Sequence, residues 1–331
     1  MRFLAISAAI VGALTTTVTA FPHKIRASNP NGQNVVYWGQ DQNVKPLSNY
    51  CTSSAGIDII VLSFLYQFGN GQTIPSGTIG NQCYISSNGV PQNCETLASD
   101  IEICKSNGIK VILSLGGASG AYSLSSQAEA EAIGQNLWKA YGDTAGDSSV
   151  PRPFGNTFVN GWDMDVETWV GNQYYQYLLA SLRSNFASDP SNTYYITGAP
   201  QCPIPEPNMQ VIITNAKFDY LWVQFYNNPE CSITGKINFD DWVSNVANTP
   251  SAGAKIFLGV PASPLASTGT TSGSRYYIDP SSLATLVNQY KSSPSFGGVM
   301  MWSAGYSDSN VNNGCTYAQE AKSILTKGTI C

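Results

Sequence analysis

Gly161-Trp162-Asp163-Met164-Asp165-Val166-Glu167 alternates large apolar residues with acids, in a chain where only 11% of residues are charged. Successive side chains of a strand point to opposite faces, so the period of two predicts a strand that carries Asp163, Asp165 and Glu167 in one column. Packing three carboxyls beside Trp162, Met164 and Val166 makes ionisation costly, through burial and through like charge. Carboxyls perturbed in this way mark a site of proton chemistry.

Outward from this strand, apolar β-branched runs recur at residues 35–38, 57–65, 110–115, 194–199, 220–226, 255–260 and 298–302. Helical patterns fall between most of them, at 97–107, 127–140, 173–187, 239–248, 283–290 and 318–325. Eight nearly continuous apolar strands alternating with helices describe a parallel sheet covered on both faces. The fold class predicted is α/β, a closed (β/α)8 TIM barrel, with a doubly wound open sheet as the rival. No Gly-x-Gly-x-x-Gly follows a strand, which disfavours that rival. The Ser-, Thr- and Gly-rich interval 262–275 reads as a surface loop.

Barrels of this kind place their chemistry at the C-terminal ends of the strands. Polar residues cluster at those ends here: Gln40, Asn70, Gly116-Gly117, Glu167, Gln201, Gln224, Tyr226, Asn227 and Trp302-Ser303. Singly, each is ordinary loop chemistry; together at one rim they describe a pocket.

Composition narrows the function. Arg2 followed by an apolar run and Val18-Thr19-Ala20 reads as a secretory leader over 1–20, with threonines at 15, 16 and 17 interrupting any membrane span. A segment at 21–34 and one catalytic domain at 35–331 complete the expected organisation, and the protein is expected to be extracellular, monomeric and not membrane-bound. Eight cysteines in an exported chain favour disulfides, and no Cys-x-x-Cys pair suggests metal. The only histidine is His23, which argues against a Ser-His-Asp triad and a His-liganded zinc. A net charge of -5 argues against nucleic acid as a partner. A cation site on the Asp-x-Asp-x-Glu column is the main structural rival, but cation loops are polar and glycine-containing, not threaded through Trp, Met and Val. No metal or cofactor is expected.

The chain resembles the hevamine-like (class III) chitinases of glycoside hydrolase family 18. That family carries Asp-Gly-x-Asp-x-Asp-x-Glu on its fourth strand, matched here by residues 160–167 except that Asn160 replaces the first aspartate. The segments Tyr37-Trp38-Gly39-Gln40, Ala199-Pro200-Gln201-Cys202-Pro203, Trp222-Val223-Gln224-Phe225-Tyr226-Asn227-Asn228-Pro229 and Gly297-Gly298-Val299-Met300-Met301-Trp302-Ser303 extend the likeness over nearly the whole chain after the leader. The resemblance implies an endochitinase that hydrolyses β-1,4-linked N-acetylglucosamine polymers with retention, the substrate's own acetamide acting as nucleophile. It implies Glu167 as general acid and then base, and Asp165 as the group that orients the acetamide. Asp163 would share a proton or hydrogen bond with Asp165 and help keep Glu167 protonated, and Tyr226 would donate to the acetamide carbonyl. Gln40, Asn70, Gly117, Gln224 and Asn227 would bind sugar, with Trp302 as the floor. The resemblance also implies disulfides Cys51–Cys104, Cys83–Cys94 and Cys202–Cys231, with Cys315 and Cys331 left to pair.

Asn160 lies off the acidic face by strand parity, so catalysis is expected to survive it while local hydrogen bonding differs. Trp169 reads equally as a packing residue or as one that narrows or extends a sugar subsite. About 37 residues separate the last two strands, too few for an inserted domain, so a shallow, open cleft and little processivity are expected. No carbohydrate-binding module is expected after the last helix. The alternatives are a carbohydrate-binding or inhibitory protein on the same barrel, disfavoured by the intact Asp163, Asp165, Glu167 and Tyr226, and an endo-N-acetylglucosaminidase acting on N-glycans.

Overall fold

The computed structural model describes residues 32–331 apart from 42–43, 119 and 145–148. The leader and His23 lie outside the described residues. Eight parallel strands close on themselves: β1 (Gln33–Trp38), β2 (Ile59–Gly69), β3 (Lys110–Gly116), β4 (Gly161–Asp165), β5 (Tyr195–Gly198), β6 (Tyr220–Gln224), β7 (Lys255–Pro261) and β8 (Phe296–Trp302). Each pairs with its sequence neighbour, and β8 returns to β1, giving the (β/α)8 barrel. Helices cover the outside: α1 (Glu95–Ser106), α2 (Gln127–Tyr141), α3 (Tyr175–Phe186), α4 (Gln210–Asn215), α5 (Phe239–Val246), α6 (Pro280–Tyr290), α7 (Ala304–Ser309) and α8 (Tyr317–Lys327). None of the described helices is long and apolar enough to cross a membrane.

Local chemistry sets the helix ends. Asp279 accepts from Ser281 and Ser282 N–H with Pro280 at the first turn of α6, and Thr316 and Gln319 form a reciprocal capping box on α8. Strand parity then divides the core. Tyr37, Ile59, Val61, Ile112, Trp222, Phe257 and Met300 fill the barrel interior, while Trp162 and Met164 point out beneath the helices, where Trp162 stacks on Phe186.

Three differences from the sequence reading matter. The fourth strand ends at Asp165 instead of running to Glu167, so the acid sits on the first turn of the loop beyond it. Strand β2 overruns the barrel rim and folds back through antiparallel strands at Gln72–Ile79, Cys83–Ile85 and Pro91–Gln92, none of which was predicted. The short helices α4 and α7 were also missed. Interval 262–275 holds a 3-10 turn at Thr271–Tyr276, and no further domain lies between β7 and β8. All four expected disulfides are present: Cys51–Cys104, Cys83–Cys94, Cys202–Cys231 and Cys315–Cys331.

Candidate active site

Register builds the site in two layers. Parallel pairing sets Ser114 and Thr197 on either side of Asp163, all three pointing inward. Asp163 is fully buried, and its Oδ2 accepts from Tyr37 OH and Ser114 Oγ at 2.7 Å each. Its Oδ1 accepts from Thr197 Oγ1 at 2.6 Å and Trp222 Nε1 at 2.7 Å. Two oxygens that accept four hydrogen bonds have no lone pair left for a cation. Burial raises the affinity of Asp163 for a proton, and the four bonds oppose that rise.

The layer above is the cleft. Register places Gly116 beside Asp165, and a Cβ at Gly116 would lie 2.1 Å from the Asp165 carbonyl oxygen, so only glycine fits there. Asp165 is 4% exposed and accepts from Gln224 Nε2 at 3.2 Å. Burial first, then the charges of Glu167, Asp163 and Glu206, push its carboxyl well above the usual carboxylate range. Glu167 is raised by burial and by Glu206, which favours the protonated acid. Tyr226 is held neutral by burial and by Asp165 and Glu167, and its hydroxyl makes no protein hydrogen bond among the described residues.

A cavity of about 620 Å³ opens above this layer. Asp165, Glu167, Tyr226, Gln40, Gly117, Gln224, Asn227 and Trp302 all line it. Trp302 stacks on Phe64 with ring centroids 5.9 Å apart and leans on Tyr37 at 5.6 Å, which fixes the indole plane. The amide groups of the lining are largely spoken for by the protein. Gln40 Nε2 donates to Ser63 O at 3.0 Å, Gln224 Nε2 also donates to Ala199 O at 2.9 Å, and Asn227 Nδ2 donates to Ser267 O at 3.0 Å.

Two sequence expectations require correction. Asn70 is not among the residues lining the cavity: β2 runs past the rim, so Asn70 caps its turn, and its Nδ2 donates to Ser123 Oγ at 2.7 Å. Asp163 is buried beneath the cleft and makes no hydrogen bond to Asp165, because four other donors occupy it. Its charge acts on Asp165, while Glu167 is raised by burial and by Glu206. Asn160 turns out to use its side-chain oxygen to accept from Val111 N at 2.9 Å, an acceptor role that an amide fills as well as a carboxylate. Trp169 is 71% exposed, so it is not a packing residue.

Sequence reasoning missed several residues that shape the site. The Tyr122 hydroxyl accepts from Glu167 N and donates to Gly117 O, both at 2.9 Å, and so ties the acid's loop to the end of β3. The antiparallel strand at Gln72–Ile79 and the turn after it supply Thr78, Gly80 and Asn81 as one wall of the cleft. Glu206 is a further buried carboxylate with no motif to announce it. Strand parity alone could have found Ser114 and Thr197; the others depend on contacts distant in sequence.

The buried and half-buried acids make stability depend on pH. Asp41, Asp165, Glu167 and Glu206 are all raised, chiefly by burial, so their stabilising contribution is complete below about pH 4, the ordinary carboxylate value, and is lost as pH rises through their folded values. Asp279, lowered by hydrogen bonds from Ser282, acts oppositely and loses its contribution as pH falls. The thermal midpoint is therefore expected to peak at mildly acid pH and decline toward neutrality. In Asp165→Asn that decline should flatten, and an unchanged slope in scanning calorimetry would refute the account.

A sequence model described as Glycosyl hydrolases family 18 matches residues 33–307. Endochitinase 2 of Metarhizium robertsii is 60% identical over 316 residues, spanning 91% of this chain and 75% of that protein. Among solved structures, a chitinase from Ipomoea carnea superimposes with a TM-score of 0.72 at 33% identity, covering 88% of this chain and 99% of that one. A xylanase and alpha-amylase inhibitor from Scadoxus multiflorus superimposes with a TM-score of 0.73 at 30% identity, covering 91% and 99%.

Proposed function

The chain belongs to family 18 of the glycosyl hydrolases, and from that premise we propose that it is a secreted endochitinase working by substrate assistance with retention at the anomeric carbon. One observation carries the mechanism: Asp165 and Glu167 are the only carboxylates among the described residues lining the cleft, and both come from the end of one strand. No acid among the described residues faces them from the sugar's other side, which supports a nucleophile drawn from the substrate.

Glu167 gives its proton to the bridging oxygen as the bond from that oxygen to the anomeric carbon breaks. The acetamide carbonyl oxygen bonds to the same carbon and forms a cyclic oxazolinium ion, whose N–H and positive charge face Asp165. Tyr226 directs its free hydroxyl at the acetamide oxygen and aligns it for attack. Glu167, now a carboxylate, takes a proton from water as the water oxygen attacks the anomeric carbon and opens the ring. Two displacements at that carbon restore its original configuration. Trp302 lies under the reacting sugar, and Gln40, Gly117, Gln224 and Asn227 contact its neighbours along the cleft.

The 60% identity to an endochitinase supports the substrate, and four disulfides suit an exported protein. Incubation with a soluble N-acetylglucosamine oligomer should release shorter oligomers whose new reducing ends are the β anomer when read by NMR within the first minutes. A first product of α configuration would exclude substrate assistance. Binding without any release would make the protein a lectin or an inhibitor.

A further inference from the structure

We propose that Glu206 is a positioning residue for this reaction, a buried carboxylate in the loop after β5 that sets the charge environment of Glu167 and whose hydrogen bonds fix the Gln201 edge of the cleft. The inference rests on the assignment of Glu167 as the acid and deepens it. Glu206 is 3% exposed and lies in the loop between β5 and α4. Its Oε1 accepts from Gln201 N at 3.2 Å; its Oε2 accepts from Asn208 N at 2.8 Å and from Met209 N. Backbone N–H groups can only donate, so three of them aimed at one carboxylate stabilise its charged form and oppose the rise that burial alone gives Glu206, an opposition that Glu167 lacks.

Glu167 is in the opposite situation. Its carboxyl makes no protein hydrogen bond among the described residues, and the charge of Glu206 acts on it. With two mutually repelling acids, the one that is better solvated by N–H groups ionises first, and the other keeps its proton. The titratable groups around Glu167 are Asp165 at the end of β4, Tyr122 beyond β3, Tyr226 beyond β6 and Glu206 beyond β5. Asp163 and Tyr37 lie beneath and act on Asp165 and on each other. No Lys, Arg or His is among the described residues lining the cleft, so no cation in its wall offsets the charge of Glu206.

The same carboxylate has a mechanical role. Gln201, which it holds, forms a parallel bridge with Gln224, and Gln224 in turn donates to Asp165. Gln201 Oε1 also accepts from Asn228 Nδ2 at 3.1 Å, which ties the loops after β5 and β6 together beside Tyr226. Both roles pass through other residues; Glu206 itself does not line the cleft.

The test is the pH profile of kcat/KM on a soluble N-acetylglucosamine oligomer. In Glu206→Gln the alkaline limb, where Glu167 loses its proton, should move to lower pH. In Glu206→Asp, which keeps the charge, the limb should stay near the parent's position even if kcat falls. An unmoved limb in Glu206→Gln, with activity reduced by the same factor at every pH, would leave Glu206 a structural residue only and overturn the proposal. Should Glu206→Gln fail to fold, carbon-13 NMR of glutamate-labelled parent, with the Glu167 signal assigned by its loss in Glu167→Gln, gives the order directly. Glu206 must ionise at lower pH than Glu167, and the reverse order would also overturn the proposal. Undiminished turnover by Glu167→Gln would instead strike the acid assignment itself, a failure that the ionisation order does not mimic.

Discussion

Glu167→Gln is expected to bind N-acetylglucosamine oligomers as tightly as the parent and to lose kcat by about 100- to 10,000-fold. The amide matches the carboxyl in size and keeps the backbone N–H that donates to Tyr122, so the loop stays in place. What disappears is a proton that can be given and taken back at the bridging oxygen. The substitution also removes a half-buried carboxyl whose ionisation is resisted by burial and by Glu206, so the thermal midpoint at neutral pH should rise while activity falls. Binding by isothermal calorimetry and turnover by product release separate the two effects. Turnover within tenfold of the parent would show that Glu167 is not the acid.

Asp163→Ala is expected to act first on stability. It strands Tyr37, Ser114, Thr197 and Trp222 donors inside the barrel, at about 1–3 kcal/mol for each that finds no other partner. Hydroxyls can turn, but the Trp222 N–H can only donate, so a loss above about 3 kcal/mol is expected. That corresponds to a midpoint lowered by roughly 5 °C in a domain of this size. Asp163→Asn should be milder. Its oxygen can face Trp222 and Thr197 while its amide donates to the Tyr37 and Ser114 hydroxyls, which are able to accept. Asp165→Asn, by contrast, should unfold no more easily than the parent at neutral pH while losing turnover. If Asp163→Ala melted with the parent, the four hydrogen bonds would carry no weight and the division of labour between the two aspartates would be wrong.

The barrel was legible because its strands are buried on both faces and so read as unbroken apolar runs, and because parity in residues 161–165 turned Asp163 and Asp165 to the inside. Parity could not say how deep each would lie. Depth follows from register with β3 and β5, which sets Asp163 level with Ser114 and Thr197 and Asp165 one layer higher, level with Gly116. The wall formed by residues 72–92 was invisible because Pro75, Gly77 and Gly80 read as loop punctuation, and its strands exist only through pairing with the overrunning end of β2. The misplacement of Asn70 has the same origin. Glu206 and Tyr122 escaped because each acts on Glu167 from a different loop, and neither spacing nor composition encodes such a meeting. Trp169 was evenly balanced in the sequence, and its exposure removes only the packing half of the question.

The side-chain amide of Gln224 directs both its N–H groups into the protein, and those of Gln40 and Asn227 direct at least one each, which leaves mainly carbonyl oxygens as what these three can offer a guest. A polymer lying there meets those three oxygens with its own hydrogens, as the hydroxyls and N–H groups of an uncharged sugar can, while the Tyr226 hydroxyl is a donor left for an acceptor on the guest. A chain of uronic acids would bring carboxylates, which cannot donate, against those oxygens and beside two acids that already resist ionisation. Acidic polysaccharides are thus expected to bind more weakly at the threshold without any side chain having to stand in their path.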